Sequence, residues 1–391
     1  MALLLLHTDR ALTPTEEIRD AGILIEDTAI REIGPRAALQ APPGTREIRA
    51  AGLTAVPGFL DVHIHGAGGH DVMEGTREAL EAVAAMVARH GTTSFVATTV
   101  TASPETTCGS VEGIARYIES NCFTWNNSAG AEILGIHFEG PFISPTRRGV
   151  HPPEWLALPS AELLSRFLSA ARGKGRILTL APELDGAARC IDAALTSGLV
   201  VALGHTDATY EQARAAIARG ARHAVHVYNA MRPFSHRDTG VIGAVLTSPE
   251  VTAELIADGV HVDEAAMRIL LETKGSDRVI LVSDGTAATG MPDGKYTLGT
   301  FEVTVAGGVC RNSEGKLAGS TLTLDRALRN IVALGVPLSD ALRMLTLNPA
   351  RLLGLEEKKG VLRPGADADI VLLNETLCLS NVWTRGLPLQ S

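Results

Sequence analysis

The chain has 391 residues, 44 acidic against 35 basic side chains, a net charge of −9 and 45% hydrophobic residues. That balance, with no basic run, argues against a nucleic-acid partner, and no apolar stretch approaches the roughly 20 residues needed to cross a membrane. The Ala2–Leu6 run is too short for a secretory signal and has no basic segment before it, and five scattered cysteines (Cys108, Cys122, Cys190, Cys310, Cys378) without a C-x-x-C read as reduced thiols of a cytoplasmic protein.

Short β-type runs with turns between them, such as Ala2–His7 and Ala21–Glu26, fill positions 1–56. Next comes Val56–Gly66 (VPGFLDVHIHG), an apolar run that ends in His-x-His. Seven more apolar runs follow: Thr93–Val100, Ile133–Phe142, Ile177–Glu183, Leu199–Thr206, His223–Asn229, Thr252–Val262 and Val279–Thr286. They are nearly continuously apolar, as parallel strands covered on both faces must be. Helical spacing occupies most of the intervals, at Thr76–His90, Pro104–Glu119, Ser160–Ala171, Gly186–Thr196, Thr209–Arg219 and Asp263–Thr273. Eightfold strand–helix alternation predicts an α/β protein built on a (β/α)8 TIM barrel. A further β-type insert lies at Lys295–Cys310, before a helix that starts near Thr321. The turn Gly360–Gly365 leads into a last β-type run, Asp369–Leu373. A barrel uses about 250 residues. The economical division is therefore a barrel over 57–356 and a small discontinuous β-sandwich from 1–56 plus 357–391.

Chemistry in this fold sits at the carboxyl ends of the strands. His63, His65, Glu139, Glu183, His205, His226, His261 and Asp284 all fall there. In a strand, residues i and i+2 share a face, so His63 and His65 point one way. A single strand-end histidine is often only a satisfied hydrogen bonder. Five such ligand-type residues and an aspartate in one barrel mouth point to metal. His63, His65, Glu139, His205, His226 and Asp284 suffice for one or two divalent ions, with Glu139 as the natural bridge. Nitrogen-plus-carboxylate sites favour zinc, with iron, manganese or cobalt as alternatives. Asp284 is placed to take a proton from water and deliver it to a leaving amine.

These residues lie in segments that resemble the amidohydrolase superfamily, and within it the N-acetylglucosamine-6-phosphate deacetylases. The carrying motifs are PGFLDVHIHG (Pro57–Gly66), HFEGPFISPTRRGVHPP (His137–Pro153), GHTDATY (Gly204–Tyr210), HVYNAMRPFSHRDTG (His226–Gly240), ADGVHV (Ala257–Val262), VSDGT (Val282–Thr286), LAGST (Leu317–Thr321) and GVLRPGADADIVLL (Gly360–Leu373). The resemblance implies hydrolysis of the N-acetyl group of a phosphosugar. It makes Glu139, His205 and His226 the principal metal site, and His63, His65 and Asp284 a second one. It gives His151 a place beside the acetyl group, as a hydrogen-bond donor to the developing oxyanion. Arg237 and His261, with backbone at Asn229 and Ala230, are the phosphate candidates, and Arg237 is expected to reach in from the other subunit of a homodimer. Val150, Leu317, Ala318, Gly319 and Ser320 match sugar-contacting positions. His137 could support Glu139 or merely pack, and Glu183 is expected to be structural.

Rival readings share parts of the pattern. A dihydroorotase-like cyclic-amide hydrolase would use a lysine on the fourth strand, which here ends Ala181-Pro182-Glu183. A purine aminohydrolase would lack HFEGPF and LAGS. A non-catalytic scaffold of the superfamily would have lost ligands that this chain keeps. The choice between gluco and galacto epimers rests on one hydroxyl contact and is not legible here.

Overall fold

The computed structural model describes residues 3–120 and 130–389, so Ala2, Cys122 and the last residues of the chain lie outside the described part. Eight parallel strands stand side by side in chain order: β1 (Phe59–Ile64), β2 (Thr92–Thr99), β3 (Glu132–Glu139), β4 (Gly175–Leu180), β5 (Val200–Leu203), β6 (His223–Ala224), β7 (Thr252–Leu255) and β8 (Val279–Leu281). A parallel bridge between Ile64 and Gly285, with the Asp284 N–H donating to the His63 carbonyl at 2.9 Å, joins β8 back to β1 and closes the barrel. Every residue of β1, β2 and β7 is buried, which is why these stretches show no polar alternation.

Side-chain caps fix the helix starts where polar residues precede apolar periodicity. Thr76, Ser160 and Asp263 each accept from a first-turn N–H, and Thr209 forms a capping box with Gln212. Three of the described helices, Leu338–Leu345, Leu347–Leu352 and Gly240–Leu246, have no counterpart among the expected ones, and the last is the plainest case. Its sequence GVIGAVL is apolar on all sides and carries two glycines, so it shows neither amphipathic period nor strong propensity. Tertiary burial holds it. Apart from β2, the strands are also shorter than their apolar runs. The His223–Asn229 run yields a two-residue strand because the backbone turns left-handed at His226 and Tyr228.

The two chain ends meet in one seven-stranded sheet. The strand Arg46–Pro57 pairs in parallel with Leu3–Leu12 and antiparallel with Ile370–Leu373. Glu17–Glu26 and Ala29–Pro35 extend one side, Leu379–Thr384 and Leu387–Pro388 the other. The two layers expected of a sandwich are halves of a single curled sheet. Its far strand returns to bridge Asp367 through Ala29, around a core of Leu6, Ile23, Ile25, Ile30, Ile370, Leu372 and Trp383. Buried Lys359 ties this sheet to the barrel. Its Nζ lies 2.6 Å from Glu132 on β3 and 2.8 Å from both Asp367 and Asp369.

The insert after β8 is a three-stranded antiparallel sheet, Gly294–Leu298, Phe301–Ala306 and Val309–Asn312. Its apolar face, with Leu298, Val303 and Val305, packs on Val100 and Ala318, and Val150 leans against the same cluster. The Gly299 N–H donates to Asp71 at 2.8 Å. Burying each such aliphatic side chain stabilises by about 1.5–3 kcal/mol, so this sheet is a firm wall at the barrel mouth.

Candidate active site

The six expected metal ligands converge. His63 lies in β1, His65 just beyond it, and Glu139 ends β3. His205, His226 and Asp284 follow β5, β6 and β8 at φ of 47°, 29° and 48°, a left-handed backbone uncommon for non-glycine residues and most tolerated by His, Asp and Asn. This turn aims each side chain across the barrel axis instead of letting the strand continue. All six residues are buried.

Glu139 is the hub. Its Oε1 lies 3.2 Å from His63 Nε2, 3.2 Å from His205 Nε2 and 3.0 Å from His226 Nε2. Its Oε2 lies 3.3 Å from His65 Nε2 and 3.5 Å from His151 Nε2. Asp284 Oδ1 sits 3.2 Å from His65 Nε2 and 3.7 Å from His63 Nε2. Ligand atoms fall into groups that could each hold an ion: His63, His65 and Asp284; His63, Glu139 and His226; Glu139, His151 and His205.

The outer ring nitrogens decide what each histidine offers the centre. His65 Nδ1–H donates to the Thr98 carbonyl at 3.0 Å, and His205 Nδ1–H to the Arg147 carbonyl at 3.0 Å. His63 Nδ1–H donates to Glu254 at 2.8 Å. Each of these rings therefore turns Nε2 inward, where loss of its proton exposes a lone pair to the centre, and the buried Nε2 of His63 has no hydrogen-bond partner. Lone pairs and carboxylates facing one another fit a divalent cation. His151 is wired the other way. Its Nδ1 accepts from the Thr101 N–H at 3.3 Å and faces the Thr101 hydroxyl at 2.8 Å, so its proton sits on Nε2, pointing at the centre. It is a hydrogen-bond donor there rather than a ligand.

Charge follows the same geometry. Burial opposes the protonated imidazole of His65, but hydrogen bonds to Asp284 and Glu139 outweigh it and raise the pKa to about 10. For His151 burial prevails over the nearby Glu139, and the pKa falls to about 4. Burial would raise Glu139 and Asp284, yet the surrounding histidines hold both below the usual carboxylate range.

The loops expected to hold a substrate rim this cluster. Ser320 Oγ donates to the Ser283 carbonyl at 2.5 Å and its N–H to the Asp284 carbonyl at 2.7 Å, pinning Leu317–Ser320 beside Asp284. Gly319 has φ 58°, and a Cβ there would stand 2.6 Å from Thr286 Cγ2 and 2.9 Å from the Asp284 carbonyl oxygen. Only glycine fits. Asn229 and Ala230 line the turn after His226, where the Ala230 carbonyl accepts from the Thr206 N–H at 3.1 Å. His261 Nδ1 bonds Asp258 at 2.7 Å. Arg237 is exposed, and its guanidinium has no partner among the described residues. The loop carrying it is held by Arg232, which pairs with Asp238 at 2.7 Å and Asp207 at 3.4 Å.

The pattern of the amidohydrolase family matches residues 54–387. The chain belongs to the amidohydrolase family. An N-acetylgalactosamine-6-phosphate deacetylase of Escherichia coli O157:H7 is 38% identical over 382 residues, covering 97% of this chain and 98% of that protein. An N-acetylglucosamine-6-phosphate deacetylase of Vibrio furnissii is 39% identical over 361 residues, 91% of this chain and 89% of its own. Among solved structures, a variant of the Mycobacterium smegmatis N-acetyl-D-glucosamine-6-phosphate deacetylase, in complex with N-acetyl-D-glucosamine-6-phosphate, superposes with a TM-score of 0.91 at 38% identity, covering 99% of both chains.

The family is metal-dependent, and this amidohydrolase gathers candidate ligands where the family's chemistry takes place. Glu183 stands apart from the cluster. It accepts from the Thr206 hydroxyl and the Asp207 N–H, bracing the loop after β5. His137 lies deeper, with Nε2 2.7 Å from the Thr179 hydroxyl; burial lowers its pKa to about 3, so it stays neutral. Glu254 is a functional residue that the motifs do not mark. The available signal was a carboxylate flanked by apolar residues in the first half of the run Thr252–Val262, which is unusual for a fully buried strand. Thr98 and Thr101, which orient His65 and His151, gave no signal at all.

Proposed function

We propose that this amidohydrolase hydrolyses the N-acetyl group of N-acetylglucosamine 6-phosphate to glucosamine 6-phosphate and acetate, as a step of amino-sugar catabolism in the cytoplasm. The observation that carries the reading is the inward-facing set His63, His65, Glu139, His205, His226 and Asp284 in a chain related over nearly its full length to sugar-phosphate deacetylases. The reading divides the chain into a catalytic barrel, 57–356, and a small unit from 1–56 with 357–391.

Glu139, His205 and His226 would hold the principal divalent ion, and His63, His65 and Asp284 a second one; the donor set suits zinc, with iron, manganese or cobalt as alternatives. A bound ion lowers the pKa of water towards about 7 and polarises a carbonyl. The protein's own groups do the rest. Asp284 takes a proton from the attacking water as the C–O bond forms, then gives it to the amide nitrogen as the C–N bond breaks. That proton relay contributes about 10²–10⁴-fold. His151 donates its Nε2–H to the acetyl oxygen as charge develops there. Its depressed pKa keeps it a neutral donor throughout the neutral range. The Val150 and Leu317–Ser320 segments bracket the sugar. His261, Arg237 and the backbone at Asn229 and Ala230 take the phosphate, with Arg237 acting across a homodimer; its exposed guanidinium, without a partner among the described residues, supports that role.

A second reading is favoured by the 38% identical relative named for the galacto epimer: N-acetylgalactosamine 6-phosphate as the substrate. One experiment separates these readings. Acetate release is measured with both 6-phosphorylated epimers and with unphosphorylated N-acetylglucosamine, alongside metal analysis. Preference for the gluco phosphate supports the first reading; preference for the galacto phosphate replaces it; no acetate from any of the three overturns both. Mixing Asp284→Asn with Arg237→Ala chains tests the dimer. Hybrids should regain phosphate-dependent activity, and hybrids without recovery would place Arg237 in its own subunit.

A further inference from the structure

Three of the inward-facing histidines have their outer nitrogen fixed by an acceptor, but not by the same kind. His65 and His205 lean on backbone carbonyls, those of Thr98 and Arg147. His63 leans on a carboxylate, Glu254, which stands in the middle of β7 with no solvent exposure. Burying a carboxylate among the aliphatic residues of a closed barrel is expensive unless its lone pairs are matched. Glu254 is matched closely. Oε1 accepts from His223 Nε2 at 2.8 Å; Oε2 accepts from His63 Nδ1 at 2.8 Å and from the His226 backbone N–H at 3.0 Å. His223 is itself held through Nδ1 by the Thr252 hydroxyl at 2.7 Å. The chain His223–Glu254–His63 is therefore fully buried and fully bonded on its outer side, and ends at an Nε2 with no hydrogen-bond partner.

We infer that Glu254 is the positioning residue of the site: it locks His63 with the proton on Nδ1 and the Nε2 lone pair aimed at the cation, and so sets the affinity of the ion that His63 touches. The inference rests on reading His63 as a metal ligand. A carboxylate behind an imidazole fixes its tautomer and strengthens it as a donor, and losing such a support typically weakens metal binding 10–100-fold. Two further features point the same way. A barrel interior needing only packing would be filled by aliphatic side chains, and Glu254 also holds the His226 backbone, so it spans both halves of the ligand set.

The test is zinc titration into chelator-stripped protein, against a competing indicator, with no sugar present, so a negative acetate assay leaves it untouched. Wild type is compared with Glu254→Ala, Glu254→Gln, His63→Gln and the Glu254→Ala/His63→Gln double variant. Glu254→Ala should weaken by 10–100-fold the same ion that His63→Gln weakens, and the double variant should be no worse than His63→Gln alone. Glu254→Gln should recover part of the loss, because its amide oxygen can still accept from His63 Nδ1–H. Histidine-labelled ¹⁵N spectra of the metal-free Glu254→Ala chain should show the His63 ring shifting towards its Nε2–H form. The inference fails if Glu254→Ala keeps wild-type zinc affinity, if its effect adds to that of His63→Gln, or if His63→Gln leaves zinc binding unchanged. Should Glu254→Ala not fold, Glu254→Gln decides alone: a zinc affinity equal to wild type overturns the role.

Discussion

At the barrel mouth, Glu139 and Asp284 face the Nε2 atoms of imidazoles; at the junction of barrel and end sheet, Glu132, Asp367 and Asp369 face the Nζ of Lys359. Both places gather carboxylates away from bulk water: Glu139, Asp284 and Asp369 are buried, Glu132 and Asp367 half-buried. The junction supplies its own cation, and the three N–H bonds of the ammonium are matched by three carboxylates. Among the described residues no lysine or arginine pairs with Glu139 or Asp284, and the metal-free mouth balances charge by protonating histidines, which is why His65 is held at a pKa of about 10. A cluster that carries its own counter-ion is finished as a piece of architecture. A cluster that borrows protons is built to exchange them for something else.

The largest effects should come from breaking the mouth. Asp284→Asn keeps the shape of the side chain but cannot take a proton, so kcat should fall by about 10²–10⁴ while substrate still binds; a near-wild-type kcat would remove Asp284 from the assigned role. Glu139→Gln should lose the tighter ion and the activity together, read by metal analysis beside the acetate assay. Breaking the junction should instead damage the fold. Lys359→Met leaves the buried carboxylate of Asp369 without its cation, while half-buried Glu132 keeps Arg385 at 3.5 Å, and should reduce stability by up to about 3 kcal/mol, the low end for breaking a buried pair, seen as an earlier denaturation midpoint, with turnover per folded molecule retained. If Lys359→Met instead changed the metal content of the folded protein, the two clusters would not be independent.

Smaller effects sharpen the contrast. Arg237→Ala removes a charge-assisted bond worth about 1.5–3 kcal/mol, roughly ten- to more than a hundredfold in kcat/KM for the 6-phosphate substrate, and should barely alter the slow reaction of the unphosphorylated sugar. The proton exchange itself is measurable. The folded pKa of His65 lies above its unfolded value of 6.5, so its contribution to stability in the metal-free chain is complete below about 6.5 and disappears as pH rises through about 10. Metal must displace that proton. Zinc titrations near pH 7 in buffers of different ionisation enthalpy should therefore show proton release, and affinity should rise with pH. A zinc affinity flat between pH 6.5 and 9 would mean the histidines are already neutral.

Much of this was legible in the chain. Period and run length identified the barrel, because parallel strands buried on both faces leave an unmistakable apolar signature. The ligands were legible because each terminates its own run. The left-handed turns at His205, His226 and Asp284 were not, since the left-handed residues are not glycines. Gly240–Leu246 escaped because a helix buried all round has no polar face to reveal its period. Glu254 escaped for a different reason: its partner His63 is 191 residues away, and only the closing of the barrel brings the two together.

The strand Arg46–Pro57 sits in the end sheet between a neighbour near the start of the chain and one near its finish. During synthesis this imposes a delay. The edge that Ile370–Leu373 will occupy is made early and stays unpaired until almost the whole protein has left the ribosome, tens of seconds at about 5–20 residues per second. An open strand edge is a template for association with other chains. Nascent or truncated molecules should therefore be more aggregation-prone than the finished enzyme, through the segment that the C-terminal strands eventually cover.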